Sequence, residues 1–304
     1  MISGFIPVWA VTALGWAAGR SGVLGPHAQG VLGRFAFTFA MPALLFLTLS
    51  AAPVGAVADP GVAVFAISLL TVFGTGLLLS RTAFRTRPAD GAVSAMAASY
   101  VNSANLGIPV AVSVLGDTTF IATAAVFQML FVTPLIMVLI DLDVHRGVRG
   151  QWRRLAQLPL RNPVVGASAA GVVVAALGLR LPAEVLQPIR TVGGAGVPAA
   201  LFALGMSLNT RVSLDAKGVT ERLTLVSLKV VAQPLIAYTV GRWAFGLGGH
   251  ALFAVVLCAG LPTAQNAFVY AGEYRLRTDV PRDVVLWSTL LSVVTLSLIA
   301  WLLR

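Results

Sequence analysis

Long apolar stretches, each bounded by charged or turn-forming residues, follow one another along the chain. They fall at about 3–19, 34–51, 61–80, 91–115, 118–140, 162–179, 190–208, 221–243, 250–271 and 284–303. Each is close to the ~20 residues that a helix needs to cross a bilayer. Ten spans are therefore predicted. The first stretch has no basic residue ahead of it and reads as a span, not as a cleaved signal. The longest connection, 141–161, divides a single integral-membrane domain into halves 1–150 and 151–304. With five spans in each half, a duplicated second half must insert inverted.

Composition narrows the class further. Of 304 residues, 58% are hydrophobic and 11% charged, against roughly a quarter charged in a soluble domain. The formal net charge of +10 invites a nucleic-acid reading, but the basic residues sit between apolar runs and form no basic, aromatic-interleaved patch. Their distribution follows a membrane instead. Alternate loops hold Arg20 and Arg34; Arg81, Arg85 and Arg87; Arg146, Arg149, Arg153, Arg154 and Arg161; Arg211, Lys217 and Arg222; and Arg275, Arg277 and Arg282. The other side has Arg180, Arg190, Arg242 and Arg304. Sixteen against four is a strong positive-inside bias. It predicts an inner (plasma) membrane protein with both termini on the non-cytoplasmic side. Cys258 is the single cysteine, so a disulfide framework or cysteine-based zinc site is excluded.

An internal repeat supports duplication. Pro42-Ala43-Leu44-Leu45-Phe46 in span 2 matches Pro198-Ala199-Ala200-Leu201-Phe202 in span 7, at an offset of 156. Spans 4 and 9 correspond at a similar offset, each with a proline among polar or small residues: Asn102, Ser103, Asn105, Gly107 and Pro109 in one, Gly260, Pro262, Thr263, Gln265 and Asn266 in the other. Paired, interrupted spans in inverted halves point to a secondary transporter that binds near the midplane. If the breaks cross, two half-helix N-termini face one place, where free N–H groups and partial positive charge favour an anion. Asn102, Asn105, Gln265 and Asn266 would orient it. The plainer alternative is that the prolines only kink and the amides only bond between helices.

Lys229 is the one charge well inside a span, about 10 Å from the cytoplasmic end by helical rise. Two readings stay open. Its ammonium meets an anionic substrate, or it snorkels to the inner interface. Gln128 and Pro134, and Gln233-Pro234, read mainly as satisfying local kinks. The glycine runs at 15–19 and 193–196 read as close helix contacts. His27, His145, His250 and every Asp and Glu lie at loops or span ends, so the acid, base or metal cluster of an intramembrane enzyme is missing. No cofactor is called for. Amides and carbonyls can still hold sodium, so coupling to a proton or sodium gradient stays open.

On these motifs the chain resembles the auxin efflux carrier family of membrane transport proteins, in its short form. The matching pieces are Phe39-Ala40-Met41-Pro42-Ala43-Leu44-Leu45-Phe46, Asn102-Ser103-Ala104-Asn105-Leu106-Gly107-Ile108-Pro109, and Leu261-Pro262-Thr263-Ala264-Gln265-Asn266 with Tyr270-Ala271-Gly272. The long cytoplasmic loop of the plant members is missing. The resemblance implies an all-α fold of ten transmembrane helices in two inverted five-helix repeats, with broken spans 4 and 9 crossing near their prolines. Spans 3–5 and 8–10 would form a transport part; spans 1, 2, 6 and 7 would form a scaffold that can pair two copies into a homodimer. It implies a malonate- or malate-like carboxylate, with an auxin-like anion less expected, moved by alternating access. Asn102, Asn105, Pro109, Pro262, Gln265 and Asn266 carry over as crossover or substrate-contact residues. The rival readings are a sodium-coupled bile-acid-type symporter and a non-transporting membrane sensor or partner-binding subunit.

Overall fold

The computed structural model describes residues 2–51, 59–144, 161–179, 181–209 and 216–303. Its regular elements are helices: α1 (Ile2–Ser21), α2 (Ala28–Ser50), α3 (Pro60–Thr82), α4 (Pro88–Ser99), α5 (103–114), α6 (Thr119–Val144), α7 (Pro163–Ala176), α8 (Ala183–Ser207), α9 (Gly218–Ala244), α10 (Gly249–Ala259), α11 (Asn266–Glu273) and α12 (Asp279–Leu303). Six of them, α2, α3, α6, α8, α9 and α12, are long and apolar enough to cross a membrane, and α7 and α10 are shorter apolar helices. The stretches expected as spans 4 and 9 are each divided in two, which is why none of their pieces reaches that length alone. His145, Arg146, Arg149, Arg153 and Arg154 of the long connection lie outside the described residues, as do Arg180, Arg211 and Arg304.

Caps and prolines account for many of the boundaries. Asp59 accepts from Gly61 N at 2.7 Å ahead of Pro60, and Asn162 accepts from Val164 N at 2.9 Å ahead of Pro163. Each pair places an N-cap oxygen before a residue that has no N–H to satisfy. At four further prolines the chain solves the problem differently. Wide π turns at Ala36–Ala40, Ser103–Gly107, Gln128–Val132 and Leu228–Ala232 each end two residues before a proline: Pro42, Pro109, Pro134 and Pro234. A proline ring displaces the carbonyl one turn back and offers no donor. One extra residue in that turn relieves the clash without ending the helix.

Packing sorts the described helices into two groups. In one, α1 lies along α8, and α2 packs on α7 and α8. In the other, α3 packs on α4, α4 on α6, and α9 on α3, α10 and α12. Small residues set the closest approaches. A Cβ on Gly205 of α8 would stand 2.1 Å from the Thr12 carbonyl oxygen of α1, so those two helices touch backbone to backbone. The alanine-rich α4 is buried from Ala89 to Ser99. Leu14, Leu78, Val112, Leu235 and Trp301 remain exposed. That many bare apolar side chains suit an acyl-chain solvent and not water.

Candidate functional site

The two interruptions, at 100–102 between α4 and α5 and at 260–265 between α10 and α11, meet in the middle of the second group. Val101 and Thr263 form an antiparallel bridge. Asn102 N donates to Pro262 O at 2.8 Å, and Ala264 N donates to Tyr100 O at 3.1 Å. An extended residue turns its polar groups alternately to either side, so the outer edges of this short ribbon need partners of their own. Gln128 of α6 serves one edge: its Oε1 accepts from Val101 N at 2.8 Å, and its Nε2 donates to Val101 O at 3.3 Å and Ser103 Oγ at 3.1 Å. Ser288 of α12 serves the other, its Oγ accepting from Thr263 N at 3.1 Å. Thr263 Oγ1 donates to Ala97 O at 2.6 Å, near the end of α4.

The break in span 4 therefore does not fall at its proline. Pro109 sits inside α5, beyond the wide turn that absorbs it, and the chain opens seven residues earlier where Gln128 and the other break hold it. Pro262 does lie in its break, and Gly260 closes α10. Gly107 permits the close approach: a Cβ there would stand 2.8 Å from both Leu261 Cδ1 and Ile121 Cγ2.

Four of the expected ligand residues come together. Asn102 and Gln265 are the N-caps of α5 and α11, and Asn102 Nδ2 donates to Gln265 Oε1 at 3.3 Å. With half-buried Asn105 and Asn266 they line a small pocket, closed on its far side by Met41, Leu44, Leu45, Gly196 and Val197 of α2 and α8. Both half-helix N-termini border it, so the partial positive charge of each helix end converges there. Its cavity volume is only ≈ 30 Å³, room for a couple of waters at roughly 10–15 Å³ each. It adjoins a second cavity of ≈ 660 Å³, which shares Leu44, Asn105, Met129 and Val197 and continues past Thr48, Thr119 and Thr123. That volume lies within the roughly 300–1,000 Å³ of small-molecule sites.

At the opposite end the two helix groups are joined. Asn162 Nδ2 donates to Tyr274 OH at 2.8 Å, and Arg282 Nη1 donates to Ser207 O at 2.9 Å. Phe37 stands edge-on to Tyr270 and Tyr274, with ring centroids 5.7 and 6.0 Å apart. Arg222, read from sequence as a loop charge at the end of a span, is 1% exposed and pairs with Asp279 and Asp283. The paired aspartates make burial of the guanidinium tolerable.

Lys229 stands apart from these residues. It is 0% exposed and does not line the pocket. Its Nζ donates to Gln233 Oε1 at 2.6 Å and to Ala259 O at 3.0 Å, so it points into the protein and does not snorkel. Gln128, read from sequence as serving a local kink, is instead the clamp on a break 27 positions away. Ser288 carried no sequence signal, since one serine in an apolar run resembles any other.

A family model described as "Membrane transport protein" matches residues 1–146 and 153–300. A Rhizobium meliloti protein named "Putative malonate transporter" is 28% identical over 98% of this chain and 94% of its own length. An "Uncharacterized transporter" of Methanothermobacter thermautotrophicus is 27% identical over 96% of this chain and 95% of its own. The rice protein "Probable auxin efflux carrier component 5c" is 34% identical, over 43% of this chain and 36% of its own length.

Proposed function

The chain belongs to the membrane transport protein family that includes the auxin efflux carriers, a family of membrane transporters and not of enzymes, and from that premise we propose that it carries a small organic anion across the inner membrane by alternating access. One observation supports this most. The N-termini of α5 and α11 converge on a pocket whose polar lining includes Asn102, Ser103, Asn105, Gln265 and Asn266. Converging donors with no carboxylate in the lining suit a carboxylate ligand. A malonate-like dianion is the favoured cargo, in keeping with the name of the Rhizobium relative.

In this reading α4 and α5 together make the fourth of ten membrane crossings, and α10 and α11 the ninth, in two inverted halves. The group of α3–α6 and α9–α12 moves against a scaffold of α1, α2, α7 and α8, which also pairs two copies. The positive-inside charges place both termini outside. The ≈ 660 Å³ cavity then opens outward, while the contacts at Tyr274 and Arg282 close the cytoplasmic side. The arriving anion widens the inner pocket by parting α2 and α8 from the two N-caps. Return of the moving group brings the pocket to the other face.

Uptake of labelled mono- and dicarboxylates into proteoliposomes tests the reading. Asn105→Ala and Gln265→Ala should each cost about tenfold or more in uptake, the loss expected of a hydrogen bond to a charge worth about 1.5–3 kcal/mol, with folded yield unchanged. Normal flux in both variants would remove the site assignment, and the absence of flux for every carboxylate would remove the substrate class.

A further inference from the structure

The buried ammonium of Lys229 takes no part in the anion pocket, and its partners have a chemistry of their own. Lys229 and Gln233 lie one turn apart on α9, where the wide turn Leu228–Ala232 precedes Pro234. Among the described residues no carboxylate pairs with the lysine. It is held by two neutral oxygens, Gln233 Oε1 at 2.6 Å and Ala259 O at 3.0 Å. Ala259 is the last residue of α10 before the break. Its carbonyl belongs to the final turn, which has no donors of its own and carries the negative end of the helix dipole. The Gln233 amide also turns toward the charge, with its Oε1 facing the ammonium and its Nε2 buried without a hydrogen-bond partner. Leaving that donor bare costs about 1–3 kcal/mol, so the amide orientation is governed by the positive charge.

Carbonyl and amide oxygens at the C-terminal end of a half-helix are the donors with which interrupted helices hold a monovalent cation. We infer that the carbonyl end of α10, with Gln233, is a monovalent-cation site that this chain fills with its own Lys229 ammonium. The cation that steadies the broken helix is covalently attached and needs no sodium from solution. This deepens the anion-carrier reading and rests on it for the transport consequence alone; cation binding can be read without any substrate.

Lys229→Ala empties the site. Thermal unfolding of purified wild type and variant is followed in choline chloride and after replacing choline by about 100 mM sodium, lithium or methylammonium, a concentration that fills a site of millimolar affinity and raises the melting temperature measurably. Wild type should melt at the same temperature in all four salts. The variant should melt several degrees lower in choline and regain most of the loss in sodium or methylammonium. A Lys229→Met variant, which fills the space without charge, should gain nothing. Malonate uptake by Lys229→Ala should fall about tenfold in choline and recover with the same cations, because Gln233 Oε1 and Ala259 O stay without a partner until a cation fills the site. The inference is overturned if sodium stabilises wild type as much as the variant, or if wild-type uptake requires sodium. It is equally overturned if Lys229→Ala is indifferent to every cation, or cannot be recovered folded in any of the salts. Should wild type take up no carboxylate at all, the anion-carrier reading fails and the melting comparison still decides the cation site.

Discussion

Gln128→Met removes the clamp on the first break while keeping nearly the same side-chain length and volume. Gln128 is 1% exposed and makes three hydrogen bonds, to Val101 N, Val101 O and Ser103 Oγ, at 2.8, 3.3 and 3.1 Å. The serine hydroxyl, which accepts from Gln128, can rotate to another partner, but the two backbone groups cannot. Each buried group left bare costs about 1–3 kcal/mol. Two such groups total about 2–6 kcal/mol; the adjoining pocket can admit a water to one of them, so the lower half of that total, about 2–4 kcal/mol, is expected. At about 2–3 °C per kcal/mol for a long chain, this lowers the melting temperature in detergent by about 5–10 °C. Gln128→Glu, whose buried carboxyl is neutral and offers one O–H donor in place of two N–H donors, keeps an acceptor for Val101 N and should fall between Met and wild type. Uptake should drop with both, because Asn102 is the residue after Val101 and loses its fixed position. A Met variant that melts within a degree of wild type and transports normally would show that the ribbon of crossed breaks is held by other means.

The contacts that join the two helix groups at the charged end offer a second test. In a Cys258→Ala background, Tyr274→Phe deletes the bond from Asn162, and a cysteine introduced at Met41 in the pocket should become severalfold more reactive to a thiol reagent applied from the cytoplasmic side. An unchanged rate would mean that this bond does not hold the end closed. In the scaffold group, Gly205→Ala places a methyl 2.1 Å from the Thr12 carbonyl. Separating α1 from α8 should cost more than about 2 kcal/mol, seen as lost folded yield, whereas Gly30→Ala, with open space around it, should express as wild type.

Particular residues show why some of this was readable in one dimension. Pro109 and Pro262, each among polar amides and glycine, marked two interrupted apolar stretches, and both interruptions exist. A proline acts on its own turn, so its presence is a local signal. Yet Pro109 does not sit at the opening it announced, because the wide turn at Ser103–Gly107 accommodates it. The opening at 100–102 is held by Gln128, Pro262 and Ala264, and nothing within a turn of Tyr100 announces that. Lys229 was conspicuous as a charge in an apolar run. Its partner Ala259, 30 positions on, is an alanine whose backbone oxygen does the binding.

Apolar run length, loop charge and interrupted crossings are additive properties of neighbouring residues, so they fix an all-helical membrane chain and single out Asn102, Asn105, Gln265 and Asn266 without coordinates. Which groups complete an opened backbone is a matter of distant pairs: Asn102 with Gln265 at a separation of 163, Thr263 with Ala97 at 166. In a dry interior every freed N–H and C=O must find some donor or acceptor. Many side chains are competent to serve, and packing alone selects Gln128, Ser288 and Lys229 from among them.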